Sequence, residues 1–258
     1  MNALTQMQGV ETFHLLFLAH AGQALDKRCY ALKGGCNLRF FFRSIRYSED
    51  MDFDVQGLSL QELRSRVNRV LGAKAFRETL ALREMEIEHV TESKQAQTTQ
   101  RWKFGLLTPA MSLPAPTKIE FSRRAPFSDA VFESVNPAVL RAAGLPPVLA
   151  SHYPAGPAWR QKVGALANRT VTQARDVFDL HLLLASGAIE AVHENAALPP
   201  NVLRDAAKRC LDVNFAQFKG QVLSYLAPEE QSAYDLPGLW DDIVLKVADA
   251  LRGDHADA

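Results

Sequence analysis

Proline and a change of hydrophobic period divide this chain. Pro126, Pro137, Pro146, Pro147, Pro154 and Pro157 crowd one stretch. Before it, short segments alternate apolar and polar residues, and after it nearly every segment repeats at the helical period. That pattern predicts a mixed α/β lobe over residues 1–150 and a helical lobe over residues 151–258. The chain is long enough to bury a core either way. It has no internal repeat and no low-complexity tract, which argues against a solenoid.

Within the first lobe, residues 2–27 read as a helix around Leu15, Leu16, Phe17, Leu18 and Ala19. Tyr30-Ala31-Leu32 reads as a short strand that stops at Gly34-Gly35, and residues 37–43 read as the helix that follows. In Met51-Asp52-Phe53-Asp54-Val55 apolar and acidic residues alternate, the period of a half-buried strand whose acidic face points away from the core. Ser59 stands three residues before Glu62, a capping-box spacing that opens a helix running to about Leu71, with Gly72 to end it. Residues 84–90, 101–107 and 117–122 read as strands around a polar loop over 91–100, and the proline-rich stretch reads as connections. In the second lobe helices are expected over 158–168, 172–185, 201–211, 215–226 and 239–251.

Apolar residues at 47% and charged residues at 22% are ordinary for a folded soluble protein. The apolar stretch from Phe13 to Ala19 contains His14 and is far too short to cross a bilayer, and no export signal is visible. A cytoplasmic protein without membrane contact is expected. Cys29, Cys36 and Cys210 form no Cys-x-x-Cys pair, which fits a reducing compartment without disulfides. A formal net charge of zero carries no global mark of nucleic-acid binding, although arginines cluster at 39, 43 and 46 and again at 160, 169 and 175. The seven histidines form no His-Glu-x-x-His pattern, and Gly-x-Ser-x-Gly and the P-loop pattern are absent. Zinc hydrolysis, serine hydrolysis and P-loop chemistry are thereby disfavoured.

The chemistry concentrates on carboxylates. Asp50 and Asp52 lie two apart at the start of a strand, so their side chains leave the same face about 6.6 Å apart along the backbone. Hard oxygen ligands in that arrangement suit Mg²⁺ bound with phosphate, and two such ions would stabilise both the attacking and the leaving oxygens. The competing reading is the polar outer face of an amphipathic strand. Gly34-Gly35 lies upstream at a helix N-terminus, where backbone N–H groups suit a phosphate. Glu120, with apolar neighbours in Thr117-Lys118-Ile119-Glu120-Phe121-Ser122, is a third acid that either completes a metal set or is an exposed strand residue. Asp54 shares the face of the pair and is expected to be solvated beyond it.

Gly34-Gly35 followed by Arg46-Tyr47-Ser48-Glu49-Asp50-Met51-Asp52-Phe53 resembles the Gly-Gly … Arg-x-Ser-x-Asp-Leu-Asp-Phe pattern of AbiEii/AbiGii-type nucleotidyltransferase toxins. These belong to the DNA polymerase β-like nucleotidyltransferase superfamily. Gln161-Lys162-Val163-Gly164-Ala165-Leu166-Ala167-Asn168-Arg169 and Ala174-Arg175-Asp176-Val177-Phe178-Asp179-Leu180 are similar to the family's Lys-x-x-Ala-Leu-x-x-Arg … Arg-Asp-x-x-Asp-Leu. The strand of Lys118 and Glu120 resembles its Lys-Ile-Glu strand. Departures are Cys36-Asn37 in place of Thr-Ala, Met51 in place of Leu, and C-terminal helices without a matching motif.

The resemblance implies an α/β (α+β) fold, in which a polymerase β-like lobe with a mixed sheet and a helical lobe flank a substrate cleft. It implies transfer of a nucleoside monophosphate from a nucleoside triphosphate, with Mg²⁺ on Asp50, Asp52 and Glu120. Lys162 would meet the triphosphate, and Asp176 would project into the cleft. Gly34, Gly35, Arg46 and Ser48 would line the nucleotide side; for Arg46 and Ser48, bracing the loop and touching phosphate both remain open. On a helix, Arg175 and Asp179 are also spaced to form a simple surface pair. The family further implies a toxin acting on tRNA, with a separately encoded antitoxin as partner. Rival readings are transfer to a small molecule or a protein hydroxyl, and a nucleotide-binding protein without catalysis.

Overall fold

The computed structural model describes residues 5–108, 112–123, 127 and 129–253. The chain divides into two compact units, Met1–Phe41 with Tyr47–Tyr153, and Phe42–Arg46 with Pro154–Ala258. In chain order the first holds α1 (Gln6–Ala24), β1 (Tyr30–Lys33), α2 (Gly34–Phe41), β2 (Asp50–Val55), α3 (Leu60–Gly72) and α4 (Lys74–Ala81). It continues with β3 (Glu86–Ala96), β4 (Thr99–Leu107), β5 (Ala115–Ser122), β6 (Val131–Ser134), α5 (Pro137–Ala142) and β7 (Leu149–His152). Among the described residues these strands form one seven-stranded mixed sheet in the order β3-β4-β5-β2-β1-β7-β6. The α/β expectation for this part of the chain matches what is observed.

Helix α1 opens on a reciprocal cap in which the Thr5 hydroxyl accepts from Gln8 N–H and the Gln8 side chain accepts from Thr5 N–H. Such a cap contributes about 1 kcal/mol. Phe13, Leu15, Leu16, Phe17 and Leu18 of α1 are all buried, so this helix lies inside the unit rather than on its surface. The Ser59 and Glu62 capping box forms as expected at the head of α3. In β2 the alternation holds: Met51, Phe53 and Val55 are buried, and Phe53 stacks on Phe121 of β5 with ring centroids 4.8 Å apart.

The expected polar loop over 91–100 is instead most of a hairpin. β3 runs through it to Ala96, turns over two residues, and β4 starts at Thr99. β3 lies at the edge of the sheet and exposes most of its side chains, so backbone pairing with β4 holds it without an apolar stripe. The proline-rich stretch also departs from expectation, because it contains β6, α5 and β7. Pro137 occupies the first turn of α5, where its missing N–H costs nothing. Helix α4 was not anticipated.

The second unit holds α6 (Ala155–Asn168), α7 (Ala174–Ala185), α8 (Ala191–Ala196), α9 (Pro200–Leu211), α10 (Phe215–Gln221), α11 (Pro228–Tyr234) and α12 (Pro237–Arg252). The helical expectation is met, with the short α8 and α11 added and a 3₁₀ turn at Leu223–Tyr225 where α10 was expected to continue. Trp159, Phe178, Phe218 and Trp240 are fully buried, with Phe218 and Trp240 stacked at 4.5 Å. Both indoles find acceptors: Trp159 Nε1 donates to Asn195 Oδ1 at 2.9 Å and Trp240 Nε1 to the Val213 carbonyl at 3.0 Å. Among the described residues no helix is long and apolar enough to cross a membrane.

Candidate active site

Strand pairing gathers the acids from distant parts of the sequence. β2 and β5 run parallel in a register that sets Asp50 beside Lys118 and Asp52 beside Glu120. β1 adds Lys33 opposite Asp52, and β4 adds Arg101 opposite Glu120. A row of Lys33, Asp52, Glu120 and Arg101 thus crosses four strands on the face opposite Met51, Phe53, Ile119 and Phe121. Lys118 Nζ donates to Asp50 Oδ2 at 2.6 Å, and Arg101 Nε donates to Glu120 Oε2 at 2.6 Å. Ser48 Oγ donates to the Asp50 carbonyl at 2.9 Å, a contact to the strand backbone. Asp54 is not solvated as expected: it is half-buried, paired with Lys33, and accepts from Tyr153 Oη at 2.7 Å.

β1 passes directly into α2 at Gly34, whose φ of +69° is a left-handed conformation that glycine adopts at no steric cost. A Cβ at that position would lie 3.2 Å from Asp52 Oδ2, so the chain at the head of α2 sits against the Asp52 carboxylate. The first-turn amides of α2 have no intrahelical acceptor, and the positive end of the helix lies there. Gly34→Ala is expected to destabilise the protein by about 1–2 kcal/mol from the φ constraint alone. It should also displace the Asp52 side chain and depress transfer further than that loss of stability accounts for. Urea denaturation beside a transfer assay checks both, and a fully active Gly34→Ala protein would refute the close packing of Gly34 on Asp52 as a requirement.

Burial, and then the neighbouring Asp50 and Glu120 carboxylates, push the Asp52 carboxyl above its ordinary value against the pull of Lys118 and Lys33. A hard divalent cation at this point would relieve the same repulsion, and oxygen donors are the ligands it prefers. The oxygen chemistry of the three side chains suits such an ion. Asp50 and Glu120 are each drawn to a basic neighbour, and among the described residues no three His, Cys, Asp or Glu side chains converge as a ready ligand set. Recruiting an ion here would exchange the Lys118 and Arg101 contacts for metal contacts.

The second motif folds into a buried ion group within the helical unit. Asp179 has no exposed side-chain surface; it accepts from Arg46 Nε at 3.1 Å and from Arg46 Nη2 at 3.0 Å, and Lys162 Nζ lies 2.5 Å away. Asp176 is equally buried, 3.2 Å from Lys162 Nζ. Arg169 Nε lies 2.6 Å from Asp176 Oδ2, close enough to pair the charges although not aligned as a hydrogen bond. Burial raises the Asp179 carboxyl, but the Arg46 and Lys162 charges outweigh it and hold the group below its ordinary value. The simple helical pair of Arg175 with Asp179 is replaced by this arrangement. Three basic side chains thus face two carboxylates. Lys162 keeps 12% of its side-chain surface exposed. The sequence marks Arg169 and Asp179 as motif residues, and the spacing of Asp176 and Asp179 puts both on one helical face, but no local pattern joins Arg169 to Asp176 or Asp179 to Arg46.

The model of the family described as nucleotidyl transferase AbiEii toxin, type IV TA system, matches residues 16–233. No curated protein matches the chain. Among solved structures, JHP933 from Helicobacter pylori is 17% identical over 98% of this chain and 94% of its own, with a TM-score of 0.60. MenT4, a nucleotidyltransferase toxin from Mycobacterium tuberculosis H37Rv, is 18% identical over 97% of this chain and 84% of its own, with a TM-score of 0.56. At these identities the structural likeness speaks to the fold.

Proposed function

This chain belongs to the AbiEii family of nucleotidyl transferase toxins of type IV toxin–antitoxin systems, and from that premise we propose that it transfers a nucleoside monophosphate onto tRNA, using a divalent cation held by Asp50, Asp52 and Glu120. A nucleoside triphosphate is the substrate of such an enzyme, and an antitoxin is its counterpart in the system. The observation that carries the reading is the register that sets Glu120 beside Asp52 while Gly34 packs on the same carboxylate. A divalent cation, when bound, neutralises the triphosphate and makes an acceptor hydroxyl easier to deprotonate.

The chain's own groups place the reactants. The first-turn amides of α2, beginning at Gly34 and Gly35, receive phosphate oxygens. By the family motif Lys162 would meet the triphosphate, and Ser48 holds the strand that carries Asp50. Arg46, which turns its guanidinium onto Asp179, braces the ion group that includes Lys162. The acceptor oxygen bonds to the α-phosphorus, its proton departs, and the bond to the bridging oxygen breaks as pyrophosphate leaves with the electron pair.

Zero net charge, together with pairing of Arg39 to Glu11 and of Arg160 to Glu194, favours a second reading with a small-molecule or protein hydroxyl as acceptor. Incubation with Mg²⁺, each labelled nucleoside triphosphate and total RNA separates the two. For tRNA, the label is expected in the tRNA band, with labelling falling steeply as salt rises because phosphate contacts release counterions. Label that stays outside RNA, with a shallow salt dependence, would overturn the tRNA assignment.

A further inference from the structure

Behind the acidic face, a chain of buried polar side chains ends on the two backbone carbonyls where β2 begins. His14 lies in the apolar stretch of α1 with no exposed surface. Its Nε2 is 2.8 Å from Thr117 Oγ1, and Thr117 Oγ1 donates to the Glu49 carbonyl at 2.6 Å. Its Nδ1 is 3.5 Å from Cys36 Sγ, and Cys36 Sγ donates to the Asp50 carbonyl at 3.2 Å. Because the one Thr117 hydroxyl hydrogen goes to Glu49, Thr117 accepts from His14, which assigns the imidazole proton to Nε2 and leaves Nδ1 facing the thiol. Burial holds His14 down to about 3, so the ring is neutral.

We propose that His14, Cys36 and Thr117 act as positioning residues that clamp the backbone at Glu49 and Asp50, and through it set the Asp50 and Asp52 carboxylates for transfer. The proposal rests on the reading of those carboxylates as the site. Glu49 precedes the first residue of β2 paired to β5, the point where the ladder restrains the strand least. The clamp restrains it there from three elements: α1 through His14, the glycine-headed α2 through Cys36, and β5 through Thr117. Those last two elements also carry Gly34 and Glu120, so the clamp anchors the start of β2 to the segments that carry the glycines and the third acid; the one Cys36 S–H is spent on the Asp50 carbonyl, and Cys36 meets His14 Nδ1 by contact rather than as a second donor. Packing alone would be served by apolar side chains, and buried polar groups are costly unless every one is partnered. Displacing a reacting group by about 1 Å lowers rates on the order of a hundredfold.

The test compares shape-conserving with hydrogen-bond-conserving substitutions in the full chain: Thr117→Val against Thr117→Ser, and Cys36→Ala against Cys36→Ser. Labelled nucleoside triphosphate and total RNA report kcat and KM, calorimetry reports Mn²⁺ affinity, and thermal melting reports the fold. Thr117→Val and Cys36→Ala are expected to lose about 10- to 100-fold in kcat with KM for the triphosphate changed less than about threefold, and to bind Mn²⁺ more weakly. The serine variants should recover most of both losses. Wild-type kcat in Thr117→Val, or serine variants as impaired as their apolar counterparts, would overturn the clamp. Should Thr117→Val fail to fold, the Cys36 pair decides alone. Asp52→Asn in the same assay separates the two layers: activity there removes the site itself, whereas an inactive Asp52→Asn beside a fully active Cys36→Ala removes only the clamp.

Discussion

Asp52→Asn is expected to leave a folded protein whose transfer rate has fallen by at least about a thousandfold, equivalent to about 4 kcal/mol of transition-state stabilisation. Asparagine keeps the shape of the side chain and its place between Lys33 and Glu120 in the row across the sheet. It loses the charge that would hold a cation against phosphate. Stability should not fall with it. The Asp52 carboxyl is pushed above its ordinary value by burial and by Asp50 and Glu120, so its ionised form is less favoured in the folded than in the unfolded chain at neutral pH. A neutral amide removes that cost, and the melting temperature is expected to stay level or rise. In bacteria, growth arrest caused by the wild-type chain should disappear in the variant at equal expression. Activity within tenfold of wild type would remove Asp52 from the site, and lost activity accompanied by a lowered melting temperature would reassign it to the fold.

How much of this site the sequence discloses depends on the range of the interaction. The face shared by Asp50 and Asp52 is a local matter of period two, and the structure keeps it. The turn at Gly34-Gly35 was legible as a break between strand and helix, but the reason for glycine is the approach of Asp52, eighteen residues on, which no local pattern records. Glu120 meets Asp52 only because β2 and β5 pair in parallel across a long crossover, and spacing does not encode that register. The family resemblance points to Glu120 as the third acid but not to the register that brings it beside Asp52. Hydrophobic pattern misled at residues 91–100, because an edge strand held by its ladder needs no apolar stripe. It misled again in the proline-rich stretch, where Pro137 starts a helix.

His14 shows the same limit from the opposite side. A histidine among leucines and phenylalanines reads as packing, and its burial agrees with that reading. Its partners Cys36 and Thr117 come from elements far apart in the chain, and each looks unremarkable alone. The ion group of the helical unit was partly visible in the spacing of Asp176 and Asp179. The joining of Arg46 to Asp179, across more than half the chain, was not.

That joining makes the largest stability prediction. Asp179→Ala is expected to destabilise the helical unit by about 3–5 kcal/mol, because it leaves the buried Arg46 guanidinium without its bidentate partner and takes one of two carboxylates from Lys162. The penalty is that of a stranded charge rather than the worth of the pair. The double variant Arg46→Met with Asp179→Leu should therefore recover much of the loss, since two apolar side chains strand nothing. Urea denaturation followed by tryptophan fluorescence suits the measurement, as Trp159 and Trp240 both lie in this unit. The effect should also depend on pH with a definite sign. The folded Asp179 carboxyl is held below its ordinary value of 3.8, so its contribution is present in full above that value and disappears as pH falls through the lower folded value. The gap between wild type and Asp179→Ala should accordingly be widest near neutrality and close only in strong acid. A loss under about 1 kcal/mol at neutral pH would mean that water takes over the Arg46 contacts. A stable but inactive Asp179→Ala protein would instead move this carboxylate from the frame of the helical unit into the chemistry.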